Sequence, residues 1–221
     1  MKSIFFFFFI MSVFFVGCAQ QDENKFKEKA QIEENAKNKA EQDATNARAR
    51  KMEADLERRH RFYQSLSGAY TGTFTTASGV TLATKLKMIP SLPPYVPTDR
   101  IRTIEEISAD INNLYFNIQI IHWSPNNPAS ATGCVFQEVR GDFEKGRVDM
   151  ARAECSNVYS ARIIDIASEP YQTPDDLEAN STALAQQILA GKISAVNNFK
   201  IIMQPTNNAG EYTLDLARVG Q

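Results

Sequence analysis

The chain has 221 residues, with 24 lysines and arginines against 26 acidic residues, and its formal net charge is −2 at pH 7. A mildly negative charge argues against nucleic acids or other polyanions as the main partner. The length suits one domain plus an extension. With only two histidines and three cysteines, few positions are candidates for catalysis or metal binding.

The first seventeen residues have the pattern of an export signal. A basic start at Lys2 is followed by an apolar run over residues 4–16, and the small residue Gly17 precedes Cys18. This order is typical of a secretory leader. The run of about thirteen residues is shorter than the ~20 that a membrane-spanning helix needs. The sequence therefore predicts a signal peptide over residues 1–17.

The segment Phe15-Val16-Gly17-Cys18 resembles the lipobox of bacterial lipoproteins. Gly17 and Cys18 fit that pattern, while Phe15 stands where leucine is usual. The resemblance implies cleavage before Cys18, a diacylglycerol on its sulfur and a fatty acyl chain such as palmitate on its amine. Two or more acyl chains hold a protein stably on a bilayer. Residues 18–21 would then be the lipidated N-terminus, and the lipid bilayer would be the first partner.

The residue after the lipidated cysteine determines sorting in lipoproteins of bacteria with two membranes, where aspartate retains the protein in the inner membrane. Ala19 therefore implies the outer membrane of the cell envelope. Lipidation has two alternatives. In the first, Cys18 would be an unmodified cysteine behind a cleaved leader, and in the second, the apolar run would stay in place as a membrane anchor.

Residues 22–66 predict a charged helical stalk. They hold eleven basic and ten acidic residues without a glycine or proline, and good helix formers dominate. Acid-first pairs four residues apart, such as Glu57 and Arg61, support a helix. Alanines take most of the apolar positions, so the seam of a coiled coil is weak. A single solvated helix is the favoured interpretation, and a disordered linker or a self-associating helix is the alternative. Phe62, Tyr63 and Leu66 are expected to dock the end of this helix on the domain that follows.

Residues 67–221 predict an antiparallel β-domain. Apolar and polar residues alternate along 68–76, 80–88 and 114–123, as in half-buried strands. Further strands are predicted over 101–108, 158–167, 199–203 and 212–218. The prolines at 90, 93, 94 and 97 predict a loop, in which a recognition segment around Tyr95 is the alternative to a stiff connector.

One predicted hairpin is supported by its cysteines. If Cys134 and Cys155 face each other across paired strands, the paired residue numbers add up to 289 and the strands meet at Glu144-Lys145, just before Gly146. Arg140 then lies opposite residue 149. Opposed positions are close enough for a disulfide after small adjustment, and an exported protein meets an oxidising environment. We therefore predict a disulfide between Cys134 and Cys155, with two buried thiols as the alternative.

One late helix is predicted from Thr173, which caps it, through Pro174 to Gly191. The predicted fold class is mainly β: an antiparallel, barrel-like meander of about nine strands, possibly a sandwich, with this helix and the stalk.

The sequence gives little support for catalysis or for a metal or cofactor site. His60 and His122 lack the spacing of a zinc site, no serine or cysteine motif marks a nucleophile, and the acids at 175, 176 and 178 suit a helix start. The leading hypothesis is a non-enzymatic lipoprotein that presents its β-domain to an envelope protein or a cell-wall polymer. A carrier of a small hydrophobic ligand, as in lipocalins, is the first alternative, with Phe74, Leu86, Phe116 and Leu214 lining the cavity. An enzyme with His122 in its site is the second.

Overall fold

The computed structural model describes residues 3–93, 100–150, 159–165, 173–205 and 210–219, with the backbone alone described for residues 3–24. Its helices are α1 (Ser3–Leu66), α2 (Ile104–Asn112) and α3 (Pro174–Leu189). Its strands are β1 (Gly68–Thr75), β2 (Thr81–Ser91), β3 (Tyr115–Ser124), β4 (Asn127–Asp142), β5 (Arg147–Met150), β6 (Tyr159–Asp165), β7 (Asn198–Pro205) and β8 (Tyr212–Arg218).

The chain divides into two compact units, Met1–Arg50 and Lys51–Gln221. The second unit contains the last sixteen residues of α1 as well as all the strands. The compact β-unit therefore starts sixteen residues before the position, 67, at which the sequence predicts it.

In the first unit, α1 is a continuous helix and its described side chains before Ala49 are almost all exposed. This agrees with a solvated helix over the stalk region. In the described part of the chain, no helix combines the length and the hydropathy required to cross a membrane.

The eight strands of the described residues form one closed antiparallel barrel in which every strand pairs with its neighbours in the sequence. β1 pairs with β2 on one side, with Tyr70 opposite Leu86, and closes the barrel against β8 on the other, with Tyr70 opposite Arg218. The predicted mainly-β, antiparallel meander is therefore confirmed, and it is a closed barrel rather than a sandwich.

The core lies inside this barrel. Strands that alternate inward and outward place one apolar row on the inner face. Tyr70, Leu86, Ile118, Phe136 and Leu214 are all buried there. The alternation along β1, β2 and β3 agrees with the predicted inward residues, except that Val80 is exposed, in the turn before β2.

The C-terminal end of α1 covers one end of the barrel, as predicted for Phe62, Tyr63 and Leu66. The Phe62 ring lies 5.2 Å from the Phe143 ring, and the Tyr63 ring lies 4.5 Å from that of Phe116. The Tyr63 hydroxyl donates a 3.0 Å hydrogen bond to the carbonyl of Leu114. Farther back on the same helix, the predicted Glu57–Arg61 ion pair is present at 3.8 Å.

The β4–β5 hairpin has the predicted register. Arg140 pairs with Asp149 and Asp142 with Arg147, so paired numbers add up to 289. The turn is wider than the predicted two residues, because the four residues 143–146 separate the strands. Gly146 adopts a φ of +61°, and a side chain there would meet the backbone oxygen of Ser181 in α3 at 2.5 Å. Glycine is therefore required by both the turn and the close approach of α3.

The predicted strand over residues 101–108 is wrong, because α2 occupies most of it. Thr103 caps α2, accepting a hydrogen bond from the backbone N–H of Glu106, while the Glu106 carboxylate accepts one from the N–H of Thr103. This reciprocal capping box fixes a helix start. The predicted loop at Pro90 is also wrong, because Pro90 lies in β2 opposite Phe116.

The predicted late helix is confirmed as α3, capped by Thr173 and followed by Gly191. Its buried Leu177 packs with Ile202, which lies on the outer face of β7. The helix count and the strand count differ from the prediction, since the described residues contain α2 in addition and eight strands rather than about nine.

Candidate functional site

Cys18 lies in α1, in the part of the helix where only the backbone is described. Its lipidation therefore stays a prediction that depends on the residues around it.

Cys134 lies in β4 opposite Ile120 and is disulfide-bonded. Its predicted partner, Cys155, lies outside the described residues. Between Cys134 and the described β4–β5 pairs, β4 has a bulge at Glu138, whose φ is +50° and whose N–H donates to the Asn117 side chain at 3.1 Å. A bulge shifts register by one residue, so the described pairs do not by themselves place Cys155 opposite Cys134, and the pairing stays a prediction.

The two histidines lie apart in the fold, one in α1 and one at the end of β3. Burial lowers the pKa of His60, partly offset by a hydrogen bond to the backbone of Pro93. Burial also lowers the pKa of His122, whose buried Nδ1 has no hydrogen-bond partner among the described residues. His122 is half-buried on the inner face of the barrel, opposite Thr84.

The ring of His122 belongs to a stack at the end of the barrel opposite α1. It lies 4.8 Å from the Phe74 ring at an interplanar angle of 15°, and the Tyr212 ring lies 5.7 Å from Phe74 at the same angle. A neutral imidazole packed flat against a phenyl ring is a core contact of the kind that aromatic side chains favour.

The other polar candidates have structural roles. Asp176 completes the capping box of α3 with Thr173. Glu178 lies 3.4 Å from Lys145 and 3.5 Å from Arg162, and these cations lower its pKa. Among the described residues, no three His, Cys, Asp or Glu side chains are grouped so that they could hold a metal ion. Tyr95 lies outside the described residues.

The interior of the barrel is filled where it is described. Phe74, Leu86, Phe116 and Leu214, which the carrier hypothesis places around a cavity, are each at most 8% exposed. A space large enough for a ligand would leave its lining side chains accessible from within. The described inward side chains therefore pack against one another as in an ordinary core.

Arg218, at the end of β8, joins four parts of the unit. Its guanidinium donates hydrogen bonds to the backbone carbonyls of Ser65 (2.8 Å), Ser67 (2.6 Å) and Val196 (3.1 Å) and to the Tyr70 hydroxyl (2.8 Å). It also lies 5.1 Å from the centre of the Tyr70 ring. These contacts tie the end of α1 to β1, to the segment before β7 and to β8. Sequence reasoning missed them because three of the four acceptors are backbone carbonyls.

Two buried tyrosines predict a loss of stability in alkali. Burial raises the pKa of Tyr70 to about 12, against the opposing charge of Arg218, and burial also raises the pKa of Tyr63. In the unfolded chain these hydroxyls lose their protons at lower pH than in the folded chain. Their contribution to the free energy of unfolding is therefore fully present below pH ~10 and is lost as the pH rises towards ~12. The loss is up to about 1.4 kcal/mol per pH unit for each tyrosine. Urea unfolding at pH 9 and pH 11 measures this fall. We expect Tyr70→Phe to make this fall smaller, while Tyr63 still contributes to it; an unchanged fall in Tyr70→Phe would contradict the assignment.

Two pockets lie on the outside of the described barrel. One, of about 270 Å³, is lined by Arg58 and Arg59 of α1, by Glu144 and by neighbouring residues. Its charges are matched internally, since Arg58 lies 3.5 Å from Glu144 and Arg59 donates to Asp55 at 2.7 Å.

The other pocket, which we call the β1–β3 groove, has a volume of about 490 Å³. Lys85 and Lys87 of β2 line it between Thr71 of β1 on one side and Ile121 of β3 on the other, and Val219 closes its far edge. The only tryptophan of the chain, Trp123, lies beside the groove with its ring centre 5.9 Å from Lys85 Nζ. The groove was not predicted, because it is assembled from neighbouring strands whose register a sequence does not reveal.

Comparisons with known proteins found no match for this chain. No protein-family model, no curated protein and no solved structure is similar to it.

Proposed function

We propose that this protein is a bacterial envelope lipoprotein that is anchored through acylated Cys18 and presents its β-barrel as a binding module. The observation that carries the proposal is the leader that ends in Phe15-Val16-Gly17-Cys18. Ala19 after the cysteine favours the outer membrane over the inner one.

The arrangement behind the cysteine suits this role. An exposed helix follows it up to Arg50, and a compact unit begins at Lys51. At 1.5 Å per residue, the helix from Cys18 to Arg50 is roughly 50 Å long. A helix of that length suits the role of a spacer between the lipid anchor and the compact unit. The filled interior of the barrel favours recognition on its outer surface, by an envelope protein or a cell-wall polymer.

The filled interior weighs against the alternative of a carrier that encloses a hydrophobic ligand. In a carrier barrel, the inner face surrounds a space for the ligand. Here the inner face is occupied by its own side chains. The third hypothesis, an enzyme with His122 in its site, needs convergent polar groups, and the described neighbours of His122 are the Phe74 ring and, in the paired strands, Thr84 and Thr132.

Mass spectrometry of the mature protein tests the anchor. We expect an N-terminus at Cys18 that carries the mass of a diacylglycerol and a further acyl chain, and we expect the protein to fractionate with membranes. An inhibitor of the lipoprotein signal peptidase should make the uncut form accumulate.

Cys18→Ala is the test variant, and Cys155→Ala serves as the control because it also removes one cysteine. The first should lose the acyl mass and the membrane association, and the second should keep both. A mature N-terminus without acyl mass in the unaltered protein would overturn the proposal.

A further inference from the structure

The outer wall of β1–β3 combines positive charge with apolar surface. Ile121 and Val219 are each 46% exposed and stand on opposite sides of the β1–β3 groove. Val219 is held beside β1 by a 2.9 Å hydrogen bond from its N–H to the carbonyl of Ala69. Strands lie about 4.8 Å apart, so the two side chains are separated by roughly 14 Å.

Two lysines stand in the groove between these apolar sides. Lys85 and Lys87 are two residues apart on β2 and therefore project from the same face, about 7 Å from each other. Within the described chain, no carboxylate lies within ion-pair distance of either ammonium group, whereas Lys145 and Lys200 each have an acidic partner. Lys85 contacts the ring of Trp123 instead. The groove thus combines positive charge with apolar walls on a chain whose net charge is negative.

We propose that the β1–β3 groove binds a single anionic amphiphile, a molecule with one acyl chain and a carboxylate or phosphate head. The head lies between Lys85 and Lys87, where it supplies the missing negative charge. The acyl chain lies over Thr71 and Ala69 towards Val219, on the opposite side of the lysines from Ile121. A volume of about 490 Å³ falls in the range of small-molecule sites.

The size of the site favours one molecule over the surface of a bilayer. A groove of about 490 Å³ has room for a single chain and its head. The inference goes beyond the proposed function, since it does not require Cys18 to be acylated. A negative result for the groove would leave the anchor proposal intact, because the anchor has its own test by mass spectrometry.

Dodecanoate below its micelle concentration is the probe, and the protein is the mature chain, residues 18–221, carrying Cys18→Ala so that no lipid of its own competes. Calorimetry should give saturable binding of one dodecanoate per chain. Because Trp123 is the only tryptophan and contacts Lys85, its fluorescence should change along the same binding curve. Dodecyltrimethylammonium, with the same tail and a positive head, should bind at least tenfold more weakly.

The double variant K85Q/K87Q should raise the Kd for dodecanoate about tenfold, as expected for the loss of two exposed charge contacts. Val219→Ser should weaken binding through the tail. The exposed Lys192→Gln, which removes one positive charge elsewhere, should leave the Kd unchanged. The proposal would be overturned if dodecanoate and dodecyltrimethylammonium bound equally well, or if the Kd for dodecanoate were unchanged in K85Q/K87Q. It would also be overturned if the protein bound anionic phospholipid vesicles but not monomeric dodecanoate.

Discussion

Replacing Arg218 with alanine should lower the free energy of unfolding by about 3–5 kcal/mol. The variant removes the donor for three backbone carbonyls and the Tyr70 hydroxyl. A buried acceptor that loses its only partner costs about 1–3 kcal/mol, and hydrogen bonds from a charged donor are the stronger ones. Val196 is buried, so water reaches its carbonyl poorly, whereas the Ser65 carbonyl still accepts from the N–H of Val196 and the Tyr70 hydroxyl still donates to Leu66. Urea unfolding followed by circular dichroism measures the loss.

The chain offers a matched control for this experiment. Arg140 also lies over a tyrosine, with its guanidinium carbon 5.8 Å from the centre of the Tyr115 ring, but its side chain is 48% exposed. Arg140→Ala should cost less than about 1 kcal/mol, as exposed cation–π and ion-pair contacts do. Comparable losses in the two variants would show that the hydrogen-bond cluster around Arg218 is not what stabilises the unit.

Arg218→Lys separates charge from geometry. Lysine keeps the positive charge, but its ammonium group cannot reproduce the planar fork that reaches four acceptors in different directions. We therefore expect an intermediate loss, closer to that of alanine. Full retention of stability would mean that the charge alone matters.

Period-two alternation was enough to predict most of the barrel. β8 has the predicted bounds 212–218, and the inward residues of β1 and β3 agree because each of these strands has one buried and one exposed face. The register of β4 and β5 could be predicted because a turn and two cysteines constrained the same hairpin. Such local constraints are available only where strands are adjacent in sequence.

The error at α2 has a local cause. In residues 101–108 the isoleucines at 101, 104 and 107 recur every three positions, which fits a helix and not the alternation of a strand. The deciding signal was the pair Thr103 and Glu106, three residues apart, which is the signature of a capping box. Local sequence patterns could not predict the β1–β3 groove or the contacts of Arg218, because these join residues up to 153 positions apart.

The compact unit starts at Lys51 and not at residue 67, so residues 51–66 are expected to be needed for folding. A chain that starts at Ser67 should fail to fold cooperatively, whereas one that starts at Lys51 should fold. Leu56, Phe62, Tyr63 and Leu66 are each at most 2% exposed. Burial of one such side chain contributes about 1.5–3 kcal/mol, so the four together contribute roughly as much as the whole stability of a typical domain, about 5–15 kcal/mol.

Loss of these side chains would also expose their partners. Phe143 and Phe116 would lose the rings of Phe62 and Tyr63, and one end of the barrel core would open to water. The expected product is a chain with β-structure but without fixed packing, recognised by a weak near-UV dichroism signal and binding of a hydrophobic dye. Thermal unfolding should show a sharp transition for the chain from Lys51 and none for the chain from Ser67.

Point variants of the full chain test the same contact without truncation. Phe62→Ala should cost about 3–5 kcal/mol, as large-to-small changes of buried aromatic residues do. Phe26→Ala, in the same helix α1 but 74% exposed, should cost less than about 0.5 kcal/mol. If both phenylalanines could be removed at equal cost, or if the chain from Ser67 unfolded as sharply as the chain from Lys51, the end of α1 would be a spacer and not part of the barrel core. The last sixteen residues of α1 belong to the second unit, and their buried apolar side chains are part of its core. We therefore expect a truncation past Lys51 to abolish the fold.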